Sequence, residues 1–184
     1  MSRWRRQTEN VEPHLQKRYL ERWIRRLLIG FIVGLVLSGV TAFPLPGEVT
    51  LLVRWSGAES AGTPGPMLAW LLRVHEALNV VDARYPLLAY GTDWLAFAHL
   101  VIAAAFVGPL RDPVRNVWVI EWGMIACAGV IPLALIAGPI RGIPFFWRLI
   151  DCSFGIVGIV PLFVCWRMIR RLEQFTTLAQ TGRG

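Results

Sequence analysis

The sequence predicts an all-α membrane protein: four transmembrane helices, an N-terminal amphipathic helix before them, and short periplasmic interfacial helices between the first two spans. Three observations predict it. Of 184 residues, 55% are hydrophobic and only 17% charged, where soluble proteins carry about a quarter charged. Four apolar runs each approach or exceed the roughly 20 residues that a helix needs to cross the hydrocarbon core. The formal charge of +7 comes from 19 basic side chains, only one of them lysine, against 12 acids. Those basic residues gather beside the apolar runs. A basic excess points either to nucleic acid or to anionic lipid and topology. No nucleic-acid motif accompanies it, so lipid is the expected partner and nucleic acid is not.

Residues 1–26 read as a cytoplasmic arm. Glu9, Glu12 and Pro13 are first-turn signals, and Leu15, Tyr19 and Trp23 follow at four-residue spacing, the pattern of an amphipathic helix lying on the membrane. Glu21 and Arg25 form a favourable i,i+4 pair. Arg22, Arg25 and Arg26 are then expected on lipid phosphates; the alternative is an ordinary positively charged flank. The first span covers about 24–43. Gly30, Gly34 and Ser38 place a small residue at every fourth position, a stripe that lets another helix approach closely. This run reads as an uncleaved anchor and not as a signal peptide ending at Val40-Thr41-Ala42, because so long a polar leader is unusual for a signal.

Residues 44–86 hold too many polar and turn residues to span, and form the periplasmic segment. Glu48–Trp55 suits a short interfacial helix or a strand, and Ser56–Pro66 is a Gly/Ser/Pro linker. Met67–Val81 reads as a second amphipathic helix, with Trp70, Leu71, Val74 and Leu78 toward membrane or bundle and His75 and Glu76 in solvent. The second span, 87–110, lies between Tyr85-Pro86 and Gly108-Pro109. Thr92, Ala96, His99 and Ala103 share one stripe of it, with Asp93 to the side. After a short link at 111–116, the third span runs 117–140, carrying Glu121 near its inner end and a kink-inducing Pro132. A tight turn leads to the fourth span, 144–168, with a second kink expected at Pro161. Arg148, Asp151, Cys152, Gly155, Gly158 and Leu162 share a face there, Gly155 and Gly158 being packing positions. The four-helix domain thus covers 27–168. Residues 169–184 form a cytoplasmic tail whose Arg170 and Arg171 are expected on anionic lipid.

Four spans put both termini on one side. Fourteen basic side chains flank that side, and four the other, with Arg148 left inside the fourth span. The positive-inside rule therefore predicts cytoplasmic termini. Trp23, Trp118, Trp122 and Trp166 would form an inner aromatic belt, and Trp55, Trp94 and Trp147 an outer one.

This topology brings Asp93, Arg148 and Asp151 to the outer third of the bilayer, near Arg141, with His99 deeper. Unpaired ions there are strongly penalised, so an ion network that fixes helix register is expected. The alternative is a periplasm-facing site in which an arginine binds an anionic headgroup or substrate, or an acid relays protons; a charge pair facing a partner subunit is a third. His99 is expected to hydrogen-bond a neighbouring helix. Haem or chlorin ligation through His99 is an alternative, and His75 would then be the one candidate for a second ligand. Glu121 reads as structural, within reach of water or Arg115. Cys127, Cys152 and Cys165 are expected as buried thiols. Cys152 and Cys165 lie about 20 Å apart along one helix and cannot bridge each other. No nucleophile triad, phosphate-binding glycine loop, H-E-x-x-H or reactive cysteine pair is present, so no residue is assigned a catalytic or metal-binding role.

At Tyr85–His99, Asp112–Asn116 and Gly138–Gly155 the text resembles a group of small four-span bacterial inner-membrane proteins. The resemblance implies a bacterial inner membrane and carries over no functional residue. The expected function is that of a non-enzymatic accessory or assembly subunit, packed against other membrane proteins or itself. The alternative is a small transporter, lipid-binding protein or membrane enzyme using Asp93, His99, Arg148 and Asp151.

Overall fold

The computed structural model describes residues 3–57 and 63–181, with side chains described over 15–57 and 63–174. Every regular element among them is helical: α1 (Arg3–Ala42), α2 (Leu45–Ser56), α3 (Pro66–Arg84), α4 (Pro86–Ala105), α5 (Val107–Arg111), α6 (Val117–Ile140) and α7 (Phe145–Thr181). Four stretches are long and apolar enough to cross a membrane: Leu15–Ala42, Pro86–Arg111, Val117–Ile140 and Phe145–Gln174. By those criteria this is a multi-pass membrane protein. Many large apolar side chains lie exposed along these stretches, as a surface solvated by lipid tails permits. The chain divides into two compact units, Val33–Ala103 and the remainder, Met1–Ile32 with Ala104–Gly184.

In the second of these, the unit holding α6 and α7, small residues set how closely helices approach. A Cβ built on Gly155 would stand 2.5 Å from the Cys127 carbonyl oxygen, and one on Gly158 would stand 2.7 Å from Cys127 Sγ. The backbone of α7 therefore rests directly on α6, as the Gly155/Gly158 stripe predicts. Gly123 likewise leaves room for the ring of Phe106, whose Cζ would be 2.7 Å from a Cβ there. Phe106 is fully buried and stacks at a tilt on Phe31, 4.7 Å between ring centroids. Ile24, Leu28, Ile120, Leu162 and Ile169 complete this core.

The second span departs from the single helix expected over 87–110. Pro109 has no N–H to offer the Ala105 carbonyl and its ring crowds that oxygen, so α4 stops at Ala105, the chain turns at Phe106 and α5 resumes at Val107. Leu110 N–H then bonds Phe106 O (3.2 Å) and Asp112 N–H bonds Gly108 O (3.0 Å). The third span matches α6 from end to end, with Pro132 inside it. Beyond the expected end of the fourth span at 168, α7 continues to Thr181, so the described part of the tail, 169–181, extends the same helix.

In α1 the buried stripe is Leu20, Ile24 and Leu28, while Leu15, Tyr19 and Trp23 remain 59%, 53% and 38% exposed. Both stripes repeat every four residues, so periodicity alone does not choose between adjacent faces. The packing does: aliphatic side chains turn inward, and the amphipathic rings stay out, with the Arg26 guanidinium 5.5 Å from the Trp23 ring centroid. The helix runs unbroken from Arg3 to Ala42.

In the other unit the end of α1 meets α4 at Gly39, where a Cβ would lie 2.9 Å from the Ala96 carbonyl oxygen and 3.1 Å from His99 Cβ. Ala96 and Ala103 are buried, as their shared stripe predicts. Glu48–Trp55 lies within helix α2, which carries Pro46 in its first turn, buries Val49 and Val53, and closes on Gly57 at φ 65°, a left-handed conformation that glycine adopts without steric cost. α3 packs on α2. His75, expected in solvent, instead faces Thr50, with Nε2 and Oγ1 3.1 Å apart. Thr50 Oγ1 donates to Pro46 O at 2.7 Å, so its remaining capacity is to accept from His75 Nε2–H. The Asn79 amide also lies 3.1 Å from that nitrogen.

Candidate functional site

A cavity of about 930 Å³ opens in the unit holding α6 and α7, between α1 and the segment of α5 that leads into the α5–α6 link. Its charge comes from two elements. On α1, Arg18, Arg22 and Arg25 stand at i, i+4 and i+7 and share one face, held in place because Leu20, Ile24 and Leu28 root the adjoining face in the core. From the link come Arg111 and Arg115. The link is itself locked: the Asp112 carboxylate accepts Arg115 N–H (3.1 Å), and the Asn116 amide donates to Gly108 O (3.3 Å) and Asp112 O (2.9 Å).

Lys17 joins these five arginines, and Glu21 and Asp112 are the carboxylates in the lining. Both acids are engaged locally, Glu21 with Lys17 at 3.9 Å and Asp112 with the link backbone. Among the described residues none of the five arginines has a carboxylate within ion-pair distance. Ile24, Pro109, Leu110 and Leu172 provide an apolar wall to the same cavity. Such a lining suits an anion with an apolar portion, since guanidinium forks match phosphate oxygens two at a time.

Of the arginines expected on lipid, Arg22 and Arg25 line this cavity. Arg26 lies over Trp23, and Arg171 is exposed on α7. The guanidinium of Arg170 is held within the protein instead: Nη2 donates to Glu121 Oε1 (2.9 Å) and Nη1 to Glu173 Oε2 (3.2 Å). Trp166 Nε1–H also donates to Glu121 Oε1 (2.9 Å). Glu121 thus ties α6 to α7 and does so through Arg170 and Trp166, where water or Arg115 is expected from the sequence. Substituting Glu121→Gln keeps an acceptor for Trp166 and removes the charge. The pair is 40–43% exposed, so a loss of about 0.5–1 kcal/mol is expected in detergent unfolding. Glu121→Leu should cost more, because two donors lose their acceptor.

The residues expected to cluster within the membrane divide between the two units. Arg141, Arg148 and Asp151 belong to the α6–α7 unit, Asp93 and His99 to the other. Arg141 is exposed at the end of α6, and Asp151 is half-buried on α7. The stem of Arg148 lies in the space above Gly138, its guanidinium is 5.2 Å from the Phe145 ring centroid, and its Nε is buried without a hydrogen-bond partner. Within this unit Arg148 and Asp151 form no ion pair, although they stand at i and i+3, because the missing side chain at Gly138 lets the arginine lie along α6. Asp93 is half-buried on α4. His99 Nδ1–H donates to Leu95 O at 2.8 Å, one turn back on its own helix.

His75 Nε2 carries the proton that it directs at Thr50 Oγ1, so it does not suit the role of second ligand for a haem on His99. Among the described residues no three His, Cys, Asp or Glu side chains are grouped to hold a metal ion, and Cys127, Cys152 and Cys165 are free thiols.

The cavity is the feature that sequence reading missed. Lys17, Arg18, Arg111 and Arg115 entered it only as topology-setting charge. The i, i+4, i+7 spacing of Arg18, Arg22 and Arg25 was the available signal. Compared with known proteins, the chain matches no family model, no curated protein and no solved structure.

Proposed function

We propose that the chain is a bacterial inner-membrane protein with both termini in the cytoplasm, acting as a non-enzymatic accessory or assembly subunit of a larger membrane complex and gripping anionic lipid at its arginine-rich end. The observation that carries this reading is the state of the first-span glycines. A Cβ on Gly30 or Gly34 meets nothing within 4 Å, whereas Gly39, Gly123, Gly155 and Gly158 are closely packed. The small-residue stripe of α1 is therefore left open within the chain, in the form that admits a helix from another polypeptide. The orientation rests on the excess of arginine around α1, the α5–α6 link and the end of α7. It puts α2 and α3 at the periplasmic face as interfacial helices.

Affinity isolation of the tagged full chain from its native membrane in mild detergent tests the proposal. A co-purifying membrane polypeptide is expected with the wild type. Gly30→Leu and Gly34→Leu should release it without lowering thermal stability, since the added atoms enter open space. A monodisperse monomer from the wild type, with no partner, contradicts the reading.

A second reading, a small transporter or membrane enzyme with a periplasm-facing site, draws support from the unpartnered Nε of Arg148. It predicts that Arg148→Lys abolishes function while leaving the isolated complex intact.

A further inference from the structure

We infer that the cavity between α1 and the α5–α6 link is a discrete site for a phospholipid whose headgroup carries two phosphates. The inference rests on the proposed placement of this end at the cytoplasmic interface, and it assigns a ligand class to the grip suggested there. Three features distinguish the site from a generally basic flank. It is a cavity of about 930 Å³ and not a convex surface. Its arginines arrive from two elements separated in sequence, Arg18, Arg22 and Arg25 from α1 and Arg111 and Arg115 from the link. The nearby acids are already engaged, Glu21 by Lys17 and Asp112 by the Arg115 N–H.

The number and spread of the arginines decide the headgroup. One phosphodiester bears one negative charge and is covered by one or two guanidinium forks. From Arg18 to Arg25 the face of α1 rises about 10 Å, which no single phosphate covers, and Arg111 and Arg115 add further donors. Two phosphodiesters joined through a glycerol, as in cardiolipin, place anions at two positions along such a face. Ile24, Pro109, Leu110 and Leu172 in the same lining offer contact to the glycerol and the start of the acyl chains. Free phosphate or pyrophosphate makes no use of them. Basic recesses between membrane helices at the cytoplasmic side are a general setting for polyanionic headgroups.

The test is native mass spectrometry of the full-length protein in neutral detergent. It is titrated separately with cardiolipin, phosphatidylglycerol, phosphatidylcholine and inorganic pyrophosphate. Cardiolipin should bind at one-to-one stoichiometry about tenfold or more tighter than phosphatidylglycerol, with phosphatidylcholine and pyrophosphate weaker still. The double variants Arg22→Gln/Arg25→Gln and Arg111→Gln/Arg115→Gln should each lose that preference by roughly tenfold, in line with the effect of removing two interfacial cations. Arg26→Gln, outside the lining, should retain it. All five residues are exposed, so the melting temperature in detergent should be unchanged and confirm folding.

Equal binding of cardiolipin and phosphatidylglycerol overturns the inference, as does equal loss with Arg26→Gln. Pyrophosphate binding as tight as cardiolipin would assign the cavity to a soluble anion instead. If the double variants shed a partner polypeptide while cardiolipin binding persists, the occupant is an acidic protein segment and the lipid assignment fails. Loss of the partner through Gly30→Leu and Gly34→Leu is read independently, so failure of the accessory-subunit reading and failure of this one are distinguishable.

Discussion

Replacing Phe106 with alanine is expected to destabilise the folded protein by about 3–5 kcal/mol, measured as unfolding in detergent. The ring has no exposed surface. It fills the junction of three elements, stacked on Phe31 of α1 and lying in the space that Gly123 leaves on α6. One wall of the vacated volume is Gly123, with no side chain to move in, so part of the cavity should persist. In a membrane protein the loss is chiefly of dispersion contacts, since the lipid-facing surface is unchanged. Phe106→Leu keeps most of the volume and should cost under about 1.5 kcal/mol. Equal stability of wild type and Phe106→Ala would show that the turn between α4 and α5 does not need its plug.

The next largest effect is expected at Gly155, where alanine should cost about 1–3 kcal/mol and leucine more. The added Cβ would stand 2.5 Å from the Cys127 carbonyl oxygen. A backbone atom inside α6 has no rotamer into which to retreat, so the helices must separate. At Gly158 the obstructing atom is Cys127 Sγ at 2.7 Å, a side-chain atom able to turn aside, and alanine there should cost less. A double variant with Cys127→Ala should therefore rescue Gly158→Ala and leave Gly155→Ala unrescued. Thermal unfolding of the four variants in one detergent measures this directly.

Helix-level features were legible because they depend on composition and local chain chemistry. The third span is bounded by Val117 and Ile140 in sequence and structure alike, and the Gly155/Gly158 stripe marks the α6–α7 contact. What escaped reading depends on rotation and on separation. Whether α1 buries Leu15, Tyr19 and Trp23 or Leu20, Ile24 and Leu28 is a choice of about one residue in roll, and tertiary packing makes it. The partnership of Glu121 with Arg170 joins residues 49 positions apart, beyond any local pattern. The break at Phe106 had a local signal, for Pro109 strikes the carbonyl of Ala105 four residues back. Gly108-Pro109 closes the membrane-crossing stretch, which ends at Arg111 as expected, and also causes an interruption one turn earlier.

For the candidate site, the strongest local signals in the sequence are the charges inside the spans. Charges inside the spans, Asp93, Arg148 and Asp151, drew attention because isolated ions there are costly. Arg148 lays its stem over Gly138 and its guanidinium near Phe145, and keeps a buried Nε without a hydrogen-bond partner. Arg18, Arg111 and Arg115, which read only as flanking charge, converge on a cavity with Arg22 and Arg25, which are expected on lipid. Convergence is a property of two elements together, α1 and the α5–α6 link, and no window along one of them contains it.

The claim that α1 carries an open face for another subunit is tested most directly by site-specific photo-crosslinking in native membranes. A photoreactive residue at Gly34 enters open space, and one at Ile125, 71% exposed on α6, serves as the lipid-facing control. The account predicts a discrete protein adduct from Gly34 and none from Ile125. Lipid adducts alone at Gly34, in membranes where the protein is at its native level, would contradict it.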